Sequence, residues 1–159
     1  MKSINIIAII FIISSSNVYS AEYYGVVTRV IDGDSIVVKH DDTLNKIRLR
    51  YIDAPESMQI YGKQSKKFLS NLLADKSVLV STEYSDRYGR QLADIYIHNE
   101  KESIYINAKM IKSGNAWVYK KYRTNNYLIN LENHAKINKK GIWKSSNPVQ
   151  PWVYRKNYD

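Results

Sequence analysis

Two short acidic runs stand out for the chemistry they could do together. Asp32-Gly33-Asp34 and Asp53-Ala54-Pro55-Glu56 put four carboxylates at the ends of two apolar, β-like runs, and the second run carries Arg48. A hairpin turning at Asp41-Asp42-Thr43 and Asn45 brings Asp32 and Asp34 beside Asp53 and Glu56. Crowded carboxylates repel one another unless a cation lies among them. Hard oxygens with no histidine or cysteine alongside favour Ca²⁺ or Mg²⁺ over zinc. Hydrolysis of a phosphodiester needs such a cation and a carboxylate that orients or deprotonates water. It also needs fixed positive groups for the extra charge on a pentacoordinate phosphorus. Arginine suits the last role, being planar, bidentate and always protonated. Arg48 and Arg90 are the candidates. Singly, each signal is weak. Asp-Gly-Asp is common in turns, Arg48 has a bland reading as a surface strand residue, and Arg90 has one as the partner of Asp86 in closing a turn. Their joint placement across two strands carries the reading. His40, His98 and His134 are scattered along the chain and receive no role.

The elements that must position these groups follow from periodicity. Strands are expected over residues 23–31, 35–40 and 46–52. In the third, Ile47, Leu49 and Tyr51 alternate with Lys46, Arg48 and Arg50, which sends the first set inward and Arg48 to the carboxylate side. Pro55 ends that strand. Residues 61–74 read as a helix, with Phe68, Leu69, Leu72 and Leu73 as its stripe and Lys63, Lys66 and Lys67 in solvent. Strands over 77–83 and 92–98 flank the turn Asp86-Arg87-Tyr88-Gly89-Arg90. A second helix over 104–113 stops at Gly114. A third over 124–139 turns Leu128, Leu131, Ala135 and Ile137 to one side. The tail from Ser145, with Pro148 and Pro151, is expected to be extended. Five strands with helices after the third and fifth fit an α+β, mainly β fold: a five-stranded antiparallel OB-fold barrel with three helices.

The chain has 159 residues, no cysteine and a formal net charge of +9. Lys2, the apolar run over residues 4–13 and the small residue Ser20 form a signal-peptide pattern over 1–20, with cleavage expected before Ala21. The apolar run is too short for a membrane span, which needs about 20 residues. One domain over 21–159 remains, exported, without disulfides and dependent on its core alone. Lys2 accounts for one charge, so the exported part keeps +8. Such a charge suits nucleic acid, anionic lipid or cell-wall polymer alike. The 14 tyrosines and three tryptophans suit base stacking as well as a small β core.

At this point the chain resembles the thermonuclease, or staphylococcal nuclease-like (micrococcal nuclease), family. The matching stretches are Val30-Ile31-Asp32-Gly33-Asp34-Ser35, Ile47-Arg48-Leu49-Arg50-Tyr51-Ile52-Asp53-Ala54-Pro55-Glu56 and Asp86-Arg87-Tyr88-Gly89-Arg90. Ile106-Asn107-Ala108-Lys109-Met110-Ile111 and Gly141-Ile142-Trp143 follow in order. The resemblance implies a five-stranded barrel with three helices and Ca²⁺-dependent cleavage of DNA and RNA. Water attacks phosphorus and a 3′-phosphate is left. It implies Asp34 and Asp53 as direct metal ligands, the backbone carbonyl of Ala54 as a third, and Asp32 acting through water. Glu56 would be the general base, and Arg48 and Arg90 would stabilise the transition state. Arg87, Tyr88, Tyr119 and Tyr122 would contact substrate. The chain departs from the family pattern in three places. Ser35 stands where threonine is usual, the segment between Glu56 and Tyr61 is short, and Asn115 replaces an apolar residue.

Three functions compete on these residues. The first is an exported endonuclease, secreted or periplasmic, acting as a monomer with no stable protein partner and no membrane span once the signal is removed. The second is a non-catalytic nucleic-acid-binding OB-fold module, for which charge and aromatics alone would suffice. The third is an adhesive surface protein. A binding module has no need of a carboxylate cluster facing a polyanion, so the joint presence of Arg48, Glu56, Arg90, Asp34 and Asp53 favours the enzyme.

Overall fold

Alternating apolar positions on successive strands build the interior. Val27, Val30, Ile36, Val38, Ile47 and Leu49 are all buried, with Val78, Val80, Ala93 and Ile95 facing them. The computed structural model describes residues 21–158. The expected signal peptide over 1–20 lies outside the described residues. The strands are β1 (Ala21–Val30), β2 (Ser35–His40), β3 (Thr43–Leu49), β4 (Ile52–Asp53), β5 (Ser77–Ser85), β6 (Gln91–His98), β7 (Ser103–Tyr105) and β8 (Trp117–Val118). The helices are α1 (Gly62–Leu73), α2 (Ile106–Lys112), α3 (Asn126–Ile137) and α4 (Pro151–Tyr158). No helix among the described residues is long and apolar enough to cross a membrane.

The main sheet runs β3-β2-β1-β5-β6-β7 and closes on itself where β3 pairs with β6, giving a five-stranded barrel. The closing pair is parallel, with Ile47 opposite Gln91 and Arg48 opposite Leu92. The barrel is therefore mixed and not wholly antiparallel. An irregularity in β1 between Val27 and Arg29 adds the bend that closure needs. α1 buries Leu69 and Leu73, and α2 buries Ile106, Met110 and Ile111.

Four expectations change. The third strand does not run to residue 52. It ends at Leu49, Tyr51 takes a left-handed φ of 70°, and Ile52–Asp53 forms a separate strand paired with Trp117–Val118. Residues 103–105 extend the sheet as β7 before the second helix begins, because Ile104 and Tyr105 pair with Ile97 and Tyr96. Ile137 does not join the inner face of α3 but is 81% exposed, while Glu132 is fully buried there. The tail is not extended throughout: Pro151 opens a fourth helix, its fixed φ and missing N–H suiting a first turn.

Candidate active site

The acidic turn after β1 is held by the main chain. The Ile31 amide donates to the Ser35 carbonyl at 2.8 Å, and the Asp34 amide to Asp32 Oδ1 at 3.0 Å. Gly33 allows this turn to press against its neighbours, since a Cβ there would stand 2.1 Å from Ser65 Oγ and 2.6 Å from the Ala54 methyl. The close approach brings Asp34 to the second acidic run, where its Oδ2 accepts from the Ala54 amide at 2.8 Å. Asp53 is fixed from the other side. Its strand pairs with β8, and buried Glu132 anchors β8 by accepting from the Val118 amide at 2.9 Å. Arg123 and Lys136 neutralise Glu132.

Arg48 joins the two aspartates. Nη1 donates to Asp34 Oδ1, and Nη2 to Asp53 Oδ1 at 2.8 Å. Both carboxylates are buried, Asp34 being 3% and Asp53 0% exposed. Burial, with the charge of Asp34 beside it, pushes Asp32 up to about 6. Asp53 is also raised by burial, and the Asp34 charge supports that shift against the hydrogen bonds and charges of Arg155 and Arg48. The cluster thus holds an excess of negative charge that its own arginines do not cancel.

Glu56 leaves the barrel on a tight turn. The Gln59 side chain accepts from the Glu56 amide at 3.1 Å, and the Gln59 amide donates back to the Glu56 carbonyl at 2.9 Å. The first residue of α1 closes on the same carbonyl, where a Cβ on Gly62 would fall 1.9 Å from the oxygen. Gly62→Ala is therefore expected to displace the turn that presents Glu56. Overpacking of this kind costs about 1–3 kcal/mol. Thermal unfolding should show the loss, and turnover should fall in the fraction that remains folded; an unchanged melting temperature would refute this role for Gly62.

On the far side of the cleft the turn Asp86–Arg90 is an Asx turn, with Asp86 Oδ1 accepting from the Tyr88 and Arg90 amides at 2.9 and 3.0 Å. Arg90 Nε donates to Asp86 Oδ2 at 2.8 Å, and Nη2 lies 2.8 Å from the same oxygen as an ion pair. Burial pushes Asp86 upward, but the hydrogen bonds from Arg90 and Tyr88 outweigh it and hold the carboxyl below its ordinary range. The pairing expected of a turn-closing arginine is thus present, and it also fixes the plane of a guanidinium that faces the cleft.

That cleft has a volume of about 720 Å³ and brings together Asp32, Arg48, Glu56, Arg87, Tyr88, Arg90, Tyr119 and Tyr122, all expected from sequence. Asp34, Asp53 and Ala54 lie beneath it. Tyr122 stands edge-on to Tyr51, with 5.0 Å between ring centroids, and its hydroxyl lies 3.2 Å from that of Tyr84. Arg87 lies over the Tyr88 ring at 4.8 Å. An aromatic wall therefore faces the cationic one.

Two arginines carry roles that sequence reasoning missed. Arg50 does not project freely beside Arg48. Its guanidinium pairs with Glu83 at 2.9 Å and with Asp94, so it ties β5 and β6 to the end of β3. Arg155, from α4, reaches into the carboxylates: Nη2 donates to Asp53 Oδ2 at 2.7 Å, and Nη1 to Glu56 Oε1 at 2.5 Å and Asp53 Oδ1 at 3.2 Å. Only the expectation of a helix after Pro151 could have pointed to it, since 102 residues separate Arg155 from Asp53.

The donor chemistry fits a hard divalent cation. Among the described residues Asp34, Asp53 and Glu56 form ion pairs with Arg48 and Arg155 alone, Asp32 forms none, and buried carboxylates require compensation. Among the described residues no three acidic or histidine side chains gather round one point. A cation here would rest on Asp34, Asp53, the Ala54 carbonyl and water.

Comparison with known proteins agrees with this geometry. The model of the family described as staphylococcal nuclease homologue matches residues 46–145. An "Uncharacterized endonuclease" of Escherichia coli O157:H7 is 40% identical over 149 residues, covering 94% of this chain and 95% of the relative. A protein named micrococcal nuclease in Shigella flexneri is 34% identical over 143 residues, covering 86% and 82%. A probable staphylococcal-like nuclease of Oryza sativa is 39% identical over 112 residues, covering 70% of this chain and 33% of the relative. The chain belongs to the staphylococcal nuclease homologue family and is by class a phosphodiester hydrolase.

Proposed function

We propose that this chain is an exported, Ca²⁺-dependent endonuclease that hydrolyses DNA and RNA to 3′-phosphate ends. The observation that carries the reading is the convergence of Arg48, Arg90 and Glu56 on one cleft above buried Asp34 and Asp53. Ca²⁺ held by Asp34, Asp53 and the Ala54 carbonyl would supply a fixed positive charge to a phosphate oxygen. Glu56 orients a water and takes its proton as the water oxygen bonds to phosphorus and the bond from phosphorus to the 5′ oxygen breaks, the departing oxygen taking up a proton from solvent water. Arg48 and Arg90 donate to the equatorial oxygens as charge accumulates there. Asp32 helps order the water around the cation. Arg87 and Tyr88 on one wall, and Tyr119 and Tyr122 on the other, hold the flanking phosphates and stack on bases.

Purified residues 21–159 should cleave DNA and RNA with Ca²⁺, far less with Mg²⁺, and not at all with excess chelator. Two carboxylates and a carbonyl make a sparse site, so half-maximal Ca²⁺ should lie in the range of about 10⁻⁴–10⁻³ M seen for extracellular modules. Undiminished cleavage in chelator would remove the metal from the reaction. Export is carried by the signal pattern over 1–20. Mass spectrometry of protein recovered outside the cytoplasm should find Ala21 at the N-terminus; a chain starting at Met1 there would defeat the expectation.

A further inference from the structure

α4 meets the rest of the molecule unevenly. Its start is fastened: Pro151 is buried, and Gln59 Nε2 donates to the Val149 carbonyl at 2.6 Å. Past that point Val153, Lys156, Asn157 and Tyr158 are exposed, and a cavity of about 440 Å³ lies against the helix, lined by Tyr154 and Tyr158 and by Ile60, Trp117 and Ile142. A helix packed over a cavity has forfeited part of its contact energy and moves at little cost. What fixes its outer part is Arg155, whose three hydrogen bonds to Asp53 and Glu56 cross from the tail to the catalytic carboxylates.

These bonds conflict with the reaction. Both oxygens of Asp53 accept from Arg155, and the same residue is the one expected to bind the cation. Glu56, expected to act on water, gives Oε1 to the same guanidinium. A fork with two terminal donors fits this pair of carboxylates well and offsets part of their charge.

We propose that Arg155 is a metal-displaced latch. Its guanidinium takes the Asp53 and Glu56 oxygens that a divalent cation would claim, and a cation binding at Asp53 releases it, freeing Glu56 and loosening α4. The inference rests on the endonuclease reading given above and adds a regulator to that site. The latch sets a threshold, since cation must outcompete an intramolecular guanidinium, and it ties the mobility of the tail to metal occupancy by reciprocal linkage.

The test uses the whole chain from Ala21 and Ca²⁺ alone, without nucleic acid. Calorimetric titration should show Arg155→Gln binding Ca²⁺ about tenfold tighter than the wild type, and Arg155→Lys, which keeps the charge but not the fork, falling between. Amide hydrogen exchange over residues 152–158 should rise when Ca²⁺ is added to the wild type. In Arg155→Gln it should already be fast without Ca²⁺. Equal or weaker Ca²⁺ binding by both variants would overturn the latch, as would wild-type exchange in α4 that ignores Ca²⁺. Failure of the endonuclease reading would show separately, as no cleavage of DNA or RNA by the wild type whatever its Ca²⁺ affinity.

Discussion

Arg48→Lys and Arg90→Lys should each lower kcat by about 10²–10³, or ~3–4 kcal/mol, the scale of deleting one transition-state donor. Lysine keeps the charge, so the loss must come from the fork. Arg48 spans Asp34 and Asp53 with its two terminal nitrogens, which an ammonium reaching one carboxylate cannot do. Arg90 is held at one oxygen of Asp86 by its Nε hydrogen bond and its Nη2 ion pair, and a lysine there would keep at most a single contact. Arg50 does not serve as the comparison, although it lies two residues along from Arg48. Its ion pairs to Glu83 and Asp94 hold the barrel, and its loss would appear as instability. Arg29, exposed on β1, is the better control, and Arg29→Lys should change kcat by less than about tenfold, ~1.4 kcal/mol. Circular dichroism and melting curves must show all variants folded. Full kcat in Arg48→Lys would end its assignment as a transition-state clamp.

Glu56→Gln should cost about 10²–10⁴ in kcat, the usual contribution of a positioned general base. The amide is nearly isosteric and its oxygen still accepts from Arg155, so the turn through Gln59 stays in place. Proton uptake is what is lost. Affinity for nucleic acid should hold or improve, because one negative charge facing a polyanion is removed. A variant with wild-type kcat and weakened substrate binding would make Glu56 a binding group instead of a base.

The legible part of the site was local. Asp34, Asp53 and Glu56 sit at or just beyond the ends of strands whose alternation is plain, and Arg48 falls on the carboxylate side by simple parity. The illegible parts came from tertiary contact. Parity stops at Leu49, where the strand ends: Arg50 pairs with Glu83 and Asp94, and Tyr51 takes a left-handed φ of 70°. Glu132 is polar by type yet fully buried, since the Val118 amide, Arg123 and Lys136 satisfy it. The parallel closing of β3 on β6 has no periodicity of its own. Nor does Arg155, whose partners Glu56 and Asp53 lie 99 and 102 residues away along the chain. Ser35 and Asn115, both departures from the family pattern, are accommodated: Ser35 Oγ donates to Asp34 Oδ1 at 3.0 Å, and Asn115 Nδ2 to Ser113 Oγ at 2.8 Å.

The parallel seam also decides when the site comes into being. Arg48 sits on β3 directly opposite Leu92, two residues beyond Arg90, so the two arginines meet only when the seam is shut. Strands distant in sequence pay loop entropy before they gain contacts, which makes such a seam a late event in folding. A chain that has not closed the seam carries every functional side chain and yet cannot bring the two guanidiniums to one cleft. The order of strand pairing therefore sets when the site exists, and the last pairing to form completes it.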